Sequence, residues 1–164
     1  MPDLTITSEP DAPQDEVRAI ADGLGAFNDG VIGDAGYSPV RLFLRDGDGG
    51  IVGGLLAEIY LGWMYVRILW IADAHRGQGY GAALMRRAED EARSRGCRAV
   101  WLDTFTFQAP ELYRKLGFRE FGRLDDYPPG HARHFFMKSL VAGPAPDAGR
   151  AERDAPPRLT TPAH

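Results

Sequence analysis

Residues 76–81 read Arg76-Gly77-Gln78-Gly79-Tyr80-Gly81, directly after an apolar run at 66–71 and before a helical pattern at 82–95. Three glycines, a cation and a helix start have the makings of a phosphate cradle. Glycine admits positive φ and lets a ligand approach without a Cβ in the way. The first amides of a helix lack intrahelical partners and sit at the positive end of its dipole, which suits a pyrophosphate. A glycine-rich strand-to-helix turn can equally be a tight connection, so the six residues need support from the rest of the chain.

Glu58 also invites chemistry. It stands among Leu55, Leu56, Ala57 and Ile59 in what reads as a central strand, where a buried carboxylate needs a partner. It reads as a base, acting directly or through water, or as the ion-pair partner of Arg67. If Leu61-Gly62 makes a two-residue hairpin, Tyr60 faces Trp63 and Glu58 faces Tyr65. Alternation then puts Tyr65 and Arg67 on the same side as Glu58 and Tyr60. Asp103, at a strand end, is a second candidate base, or a cap for the next turn. His131, in a loop, and His134, at a strand start, could also act, though both positions read as exposed. Cys97, the only cysteine, reads as a small buried residue. Alone it permits no internal disulfide and no multi-cysteine metal site, and no metal is expected.

Several elements must position these residues. Residues 4–7 alternate apolar and polar and read as a short first strand. Asp11 or Pro13 can open a helix with Asp15 and Glu16 in its first turn and Val17, Ile20, Ala21 and Leu24 at helical spacing. Residues 27–38, with their glycines, predict a broken helix and then a loop. Three strands follow, at 40–45, 51–60 and 63–71, the first two joined by the strong turn Asp46-Gly47-Asp48-Gly49-Gly50. In the helix at 82–95, Leu84, Met85, Ala88 and Ala92 form an apolar face. Arg87/Glu91 and Glu89/Arg93 are placed on its solvated side. Gly96 ends it, and a short strand at 99–103 completes a strand–helix–strand unit that implies a parallel pairing. Pro110 suits the first turn of a further helix ending at Leu116-Gly117. A last strand pair, 118–124 and 134–140, encloses a loop with Asp125, Asp126 and Tyr127.

A chain of 164 residues with 44% hydrophobic content can bury one proper core. Residues 1–140 read as a single domain. Residues 141–164 read as a flexible Pro/Ala-rich tail, because five prolines and no apolar periodicity after residue 142 leave little surface to bury. The net charge is −4 with no basic block, which argues against a nucleic-acid partner. No apolar run has the length of a membrane span and no secretory signal is visible, so a cytoplasmic protein without a membrane partner is expected.

This element order resembles the GNAT superfamily of acetyl-coenzyme A-dependent N-acetyltransferases. Residues 69–81 look like its strand followed by the (Q/R)xxGxG/A signature, with Arg76, Gly79 and Gly81 at the fixed positions; Asp73 replaces a frequent proline. Ala109-Pro110-Glu111-Leu112-Tyr113-Arg114-Lys115-Leu116-Gly117-Phe118 looks like the family's A-x-x-(F/L)-Y-x-K-x-G-F segment. Gln108 stands near a frequent cofactor-touching asparagine. The spacing between the motifs is also the family's, and the likeness covers residues 40–140.

The resemblance implies an α+β, three-layer fold: a central mixed, mostly antiparallel sheet flanked by helices, with a splayed strand pair. It implies acetyl-coenzyme A as acyl donor. Backbone groups of Leu69, Trp70 and Ile71 would meet the pantetheine, and Arg76, Gly77, Gln78, Gly79, Tyr80 and Gly81 would meet the pyrophosphate. Trp70 or Ile71 would supply an oxyanion-stabilising amide, and Tyr113 would protonate the leaving sulfur or only pack and bind. The acceptor rim would include Tyr60, Trp63, Tyr65, Asp103, Tyr127 and His131, with Asp125 and Asp126 nearby. Aromatics and carboxylates favour a cationic amine, while Phe105 and Phe107 are expected to pack. The expected reaction is direct acetylation of a primary amine of a small molecule in a ternary complex. Alternatives are a protein N-terminus or lysine as acceptor, or a non-catalytic coenzyme A-binding module. Many relatives pair, so a homodimer is compatible with the resemblance, but no interface is legible.

Overall fold

A computed structural model describes residues 4–141; the tail expected after that point lies outside them. The helix α1 (Gln14–Ile32) starts behind Pro13, carries Asp15 and Glu16 in its first turn, and ends at Gly33 with φ +74°. It runs unbroken past the interruption expected at residue 27. No residue of α1 is buried. The strand expected at residues 4–7 does not form, and Leu4 and Ile6 are exposed. Alternation gives a segment two faces, but a strand also needs a neighbour to pair with.

The sheet is built from β1 (Ser38–Arg45), β2 (Ile51–Tyr60), β3 (Trp63–Ile71), β4 (Ala99–Phe105), β5 (Arg119–Asp125) and β6 (Ala132–Ser139). Their order is β1-β2-β3-β4-β6-β5. Asp46 closes the β1–β2 turn by accepting the amides of Asp48 and Gly50 at 3.1 and 2.7 Å. Gly54 is required where it stands, since a Cβ there would lie 2.6 Å from the Leu42 carbonyl oxygen. Leu61 and Gly62 turn the chain with φ +53° and +72°, and the expected pairs Tyr60–Trp63 and Glu58–Tyr65 form.

Two irregularities in β3 shape the molecule. Opposite Leu56 and Ala57 the partners jump from Ile68 to Val66, leaving Arg67 as a bulge. The extra residue resets the alternation: Met64 and Val66 point into the core before it, Leu69 and Ile71 after it. Second, β3 pairs in parallel with β4 only from Trp63–Ala99 to Val66–Leu102. Beyond that point β4 continues along β6 as far as Phe105–Arg133, and the two parallel strands part.

One sheet face is covered by α2 (Tyr80–Ser94) and α3 (Pro110–Lys115). Leu84, Met85, Ala88 and Ala92 of α2 join Leu55, Val66, Leu102 and Phe136 of the sheet in a single core. Glu89, expected on the solvated side, is only 3% exposed. Lys138 from β6 donates to both its carboxylate oxygens at 2.8–2.9 Å and to the Leu116 carbonyl at 2.8 Å. This pair clamps α2 and the end of α3 to β6. The opposite face carries Trp63, Trp101, Phe121, Phe135 and Met137 as an apolar shelf.

Candidate active site

The parting of β3 and β4 opens a cleft of about 840 Å³. Its first wall is the end of β3. Ala72 N–H donates to Val52 O on β2 at 2.8 Å, and neighbouring residues in a strand turn their peptide groups to opposite sides. Ile71 and Leu69 therefore aim N–H and C=O into the gap, while Trp70 faces β2. Of the two amides expected to stabilise an oxyanion, that of Ile71 faces the gap and that of Trp70 faces β2.

Arg76 Nε donates to Ile71 O at 3.0 Å, and its guanidinium reaches Asp73 at 2.9 Å. Its charge is thus shared with Asp73, and the side chain ties the turn to the strand end. Gly77 and Gly79 hold φ +72° and +86°, and Gly79 caps α2. Among the described residues, no backbone hydrogen bond engages the amides of residues 77–82. Donors at the positive end of α2 thus line the cleft. Gln78 turns its side chain back onto the Ala74 carbonyl at 3.0 Å. Lys115 joins Arg67 and Arg76 as a cation of the lining; it sits two residues beyond Tyr113 within the second motif and was not among the expected site residues.

At the other end stand Tyr113, Thr104, Gln108 and Asp103. Gln108 Oε1 accepts the Phe105 amide at 2.9 Å and the Thr104 hydroxyl at 3.1 Å. Its Nε2 keeps its donors for the cleft. Tyr113 is 6% exposed and packs between Phe118 and Phe136. Burial, aided by the charge of Asp103, pushes its phenol up to about 12. It is therefore a proton-bearing group at any physiological pH. Its hydroxyl has no hydrogen-bond partner among the described residues and is not sealed from the cleft.

Asp103 accepts the Tyr65 hydroxyl at 2.9 Å and Arg133 at 2.6 and 2.7 Å. Burial raises the Tyr65 phenol, and so do its hydrogen bond to Asp103 and that residue's charge. The Arg133 guanidinium lies over the rings of Phe105, Tyr127 and Phe135. Tyr127 meets Phe105 edge-on, and His131 meets Phe107 edge-on. Phe107, expected only to pack, lines the cleft. Of Tyr65, Asp103, Tyr127 and His131, only Asp103 lines the cleft; Tyr65 and Tyr127 reach it through Asp103 and Arg133, and His131 through Phe107.

The other expected residues lie elsewhere. Glu58 is outside the cleft lining, with Arg67 at 3.8 Å. Tyr60 accepts a long 3.4 Å hydrogen bond from Asn28 of α1, and Trp63 belongs to the shelf. His134 is buried rather than exposed, held by Glu120 at 3.0 Å and Thr106 at 3.2 Å. Its alternation with Phe135 placed it on the core face, a signal the loop-side reading overlooked.

A mixed sheet whose parallel pair parts beside a glycine turn and a helix N-terminus defines an acetyltransferase of the GNAT type. The Acetyltransferase (GNAT) family matches residues 6–118, and the chain belongs to this family of N-acetyltransferases. It is 35% identical over 115 residues to the acetyltransferase Atu2258 of Agrobacterium fabrum, covering 70% of this chain and 84% of that protein. It is 39% identical over 93 residues to the blasticidin-S acetyltransferase of Streptomyces morookaense, covering 56% and 68%. A crystal structure of a putative acetyltransferase from Agrobacterium tumefaciens superposes with a TM-score of 0.79 at 31% identity, covering 84% of this chain and all of that one.

Proposed function

We propose that this protein transfers the acetyl group of acetyl-coenzyme A to a primary amine of a small molecule, by direct attack in a ternary complex. The observation that carries this reading is the end of parallel pairing at Val66–Leu102. It leaves one continuous cleft from the unengaged amides of residues 77–82 to the Tyr113 hydroxyl. The amide row and Lys115 suit the diphosphate, and the inward-facing N–H and C=O of Leu69 suit a pantetheine amide. Names of relatives support the acceptor class: besides the blasticidin-S enzyme, one at 36% identity is a streptothricin acetyltransferase from Streptomyces lavendulae.

In this reading the Ile71 amide stabilises negative charge on the carbonyl oxygen. The amine nitrogen bonds to the carbonyl carbon as the carbon–sulfur bond breaks. Tyr113 gives its proton to the departing sulfur and is recharged through water by the N–H proton that the newly acylated nitrogen sheds. Asp103, held by Tyr65 and Arg133, receives the acceptor's ammonium, whose proton leaves through water. Glu58 is the weaker base candidate because it does not line the cleft and faces Arg67, which does, at 3.8 Å. The test is thiol release from acetyl-coenzyme A across a panel of amines that includes blasticidin S and streptothricin. Turnover on one or more small amines is expected. Tight binding of acetyl-coenzyme A with no acceptor-dependent thiol release across small amines would refute the reading.

A further inference from the structure

Two apolar surfaces of this chain are open: a stripe on α1, and the sheet face opposite α2, where Trp63 and Phe121 are exposed and Trp101, Phe135 and Met137 half-buried. On α1, Val17, Ile20, Leu24, Phe27 and Val31 repeat at alternating steps of three and four residues, a spacing that aligns them on one helix face. They are between 48% and 78% exposed. The second surface is the shelf of Trp63, Trp101, Phe121, Phe135 and Met137. From Val17 to Val31 the helix stripe runs about 21 Å. The shelf crosses β3, β4, β6 and β5, about 14 Å of backbone before side chains are added.

The end of α1 is tethered at the β2–β3 turn, and no residue of the helix is buried against its own chain. The Leu61 amide donates to Ala35 O at 2.9 Å, Asn28 bonds Tyr60, and Gly36 donates to Asp34 Oδ1 at 2.9 Å. These bonds anchor the end of α1 and its linker at the β2–β3 turn. Charges also complement: α1 sets Asp15, Glu16, Asp22 and Asp29 against Arg18 alone. The shelf is bordered by Arg119, which rests on Met137 Sδ at 3.8 Å.

We infer that α1 of each chain lies on the shelf of a second copy, giving a two-fold dimer with exchanged helices. At their exposed fractions, four aliphatic side chains and Phe27 let the stripe remove roughly 500 Å² from water. Trp101, Phe135 and Met137 of the shelf are already half-buried, so counting the shelf and the symmetric contact the interface is on the order of 1,600 Å², the standard size of a stable complex. Pairing α1 with α1 would leave both shelves bare, whereas exchange covers both surfaces in one closed arrangement.

The full chain is expected to show a two-chain mass by light scattering at tens of micromolar. Leu24→Asp with Phe27→Asp is expected to give a monomer that still unfolds cooperatively, because neither residue is buried within its own chain. In a Cys97→Ala background, chains bearing only Leu24→Cys are co-expressed with chains bearing only Met137→Cys. A short bis-maleimide should link the two variants to each other. A one-chain mass for the wild type, a dimer that survives the double aspartate change, or Leu24→Cys chains linking only among themselves would each overturn the inference. So would a chain carrying both cysteines that links only internally.

Discussion

Tyr113→Phe separates chemistry from architecture. The phenol is buried, yet its oxygen has no protein partner among the described residues. Deleting the oxygen therefore forfeits none of the roughly 1 kcal/mol that a typical hydrogen bond contributes. The ring keeps its contacts with Phe118 and Phe136, so stability should change by less than about 0.5 kcal/mol. Loss of a proton donor, by contrast, should lower turnover by about 10²–10⁴-fold. The pH profile adds a second handle. A phenol pushed up to about 12 stays protonated through the range in which amines become nucleophilic. The wild-type rate should therefore show no decline from tyrosine ionisation below pH 10, the group's ordinary value. Paired measurements of thiol release and thermal unfolding decide the matter. Unchanged turnover in a normally folded Tyr113→Phe protein would remove the tyrosine from the chemistry. A matching collapse of stability and activity would show that it only packs.

Gly79→Ala places a Cβ on a residue at φ +86° and should cost about 1–2 kcal/mol. It should also raise the KM for acetyl-coenzyme A more than that for the acceptor; equal effects on both would argue against an amide cradle. Glu89→Gln leaves Lys138 without its buried partner and should destabilise by about 3 kcal/mol in urea unfolding, whereas a surface pair would change little. Burial tends to raise Glu120, but hydrogen bonds from His134 and Arg114 outweigh it and hold the carboxyl below its ordinary 4.5. A lowered folded-state value contributes stability above pH 4.5 that is lost as pH falls through it. Glu120→Gln should therefore flatten the acid limb of the stability curve, and an unchanged limb would count against the pair.

The sequence was most legible where local geometry decides the outcome. Leu61-Gly62 demands positive φ and a two-residue turn, so the register Glu58–Tyr65 could be read directly. The glycines at 77, 79 and 81 mark a turn that only a few backbone paths satisfy. Tertiary partners were harder to see. The bulge at Arg67 carries no glycine and is set by how β2 lies against β3. Glu89 looks like half of a surface pair until β6 folds back and brings Lys138 to it across 49 positions. The segment at 4–7 has the alternation of a strand, but alternation alone does not secure a neighbour. Trp63 follows the turn, as an acceptor rim would require, but it pairs with Ala99 at the closed end of the parallel pair and lies on the shelf, while the gap opens beyond Val66.

The parting of β3 from β4 also bears on how long the protein lasts. Residues 67–71 hold a strand edge inside the molecule, sealed on one side by β2 and unmated on the other. A pantetheine laid along that edge would act as a surrogate strand, so donor binding and completion of the sheet become one event. A donor present at 100 times its Kd would add about 2.7 kcal/mol to folding, a large share of the margin of a small domain. Copies of the enzyme would then persist when acetyl donor is plentiful and be cleared first when it runs short, tying abundance to the metabolite consumed.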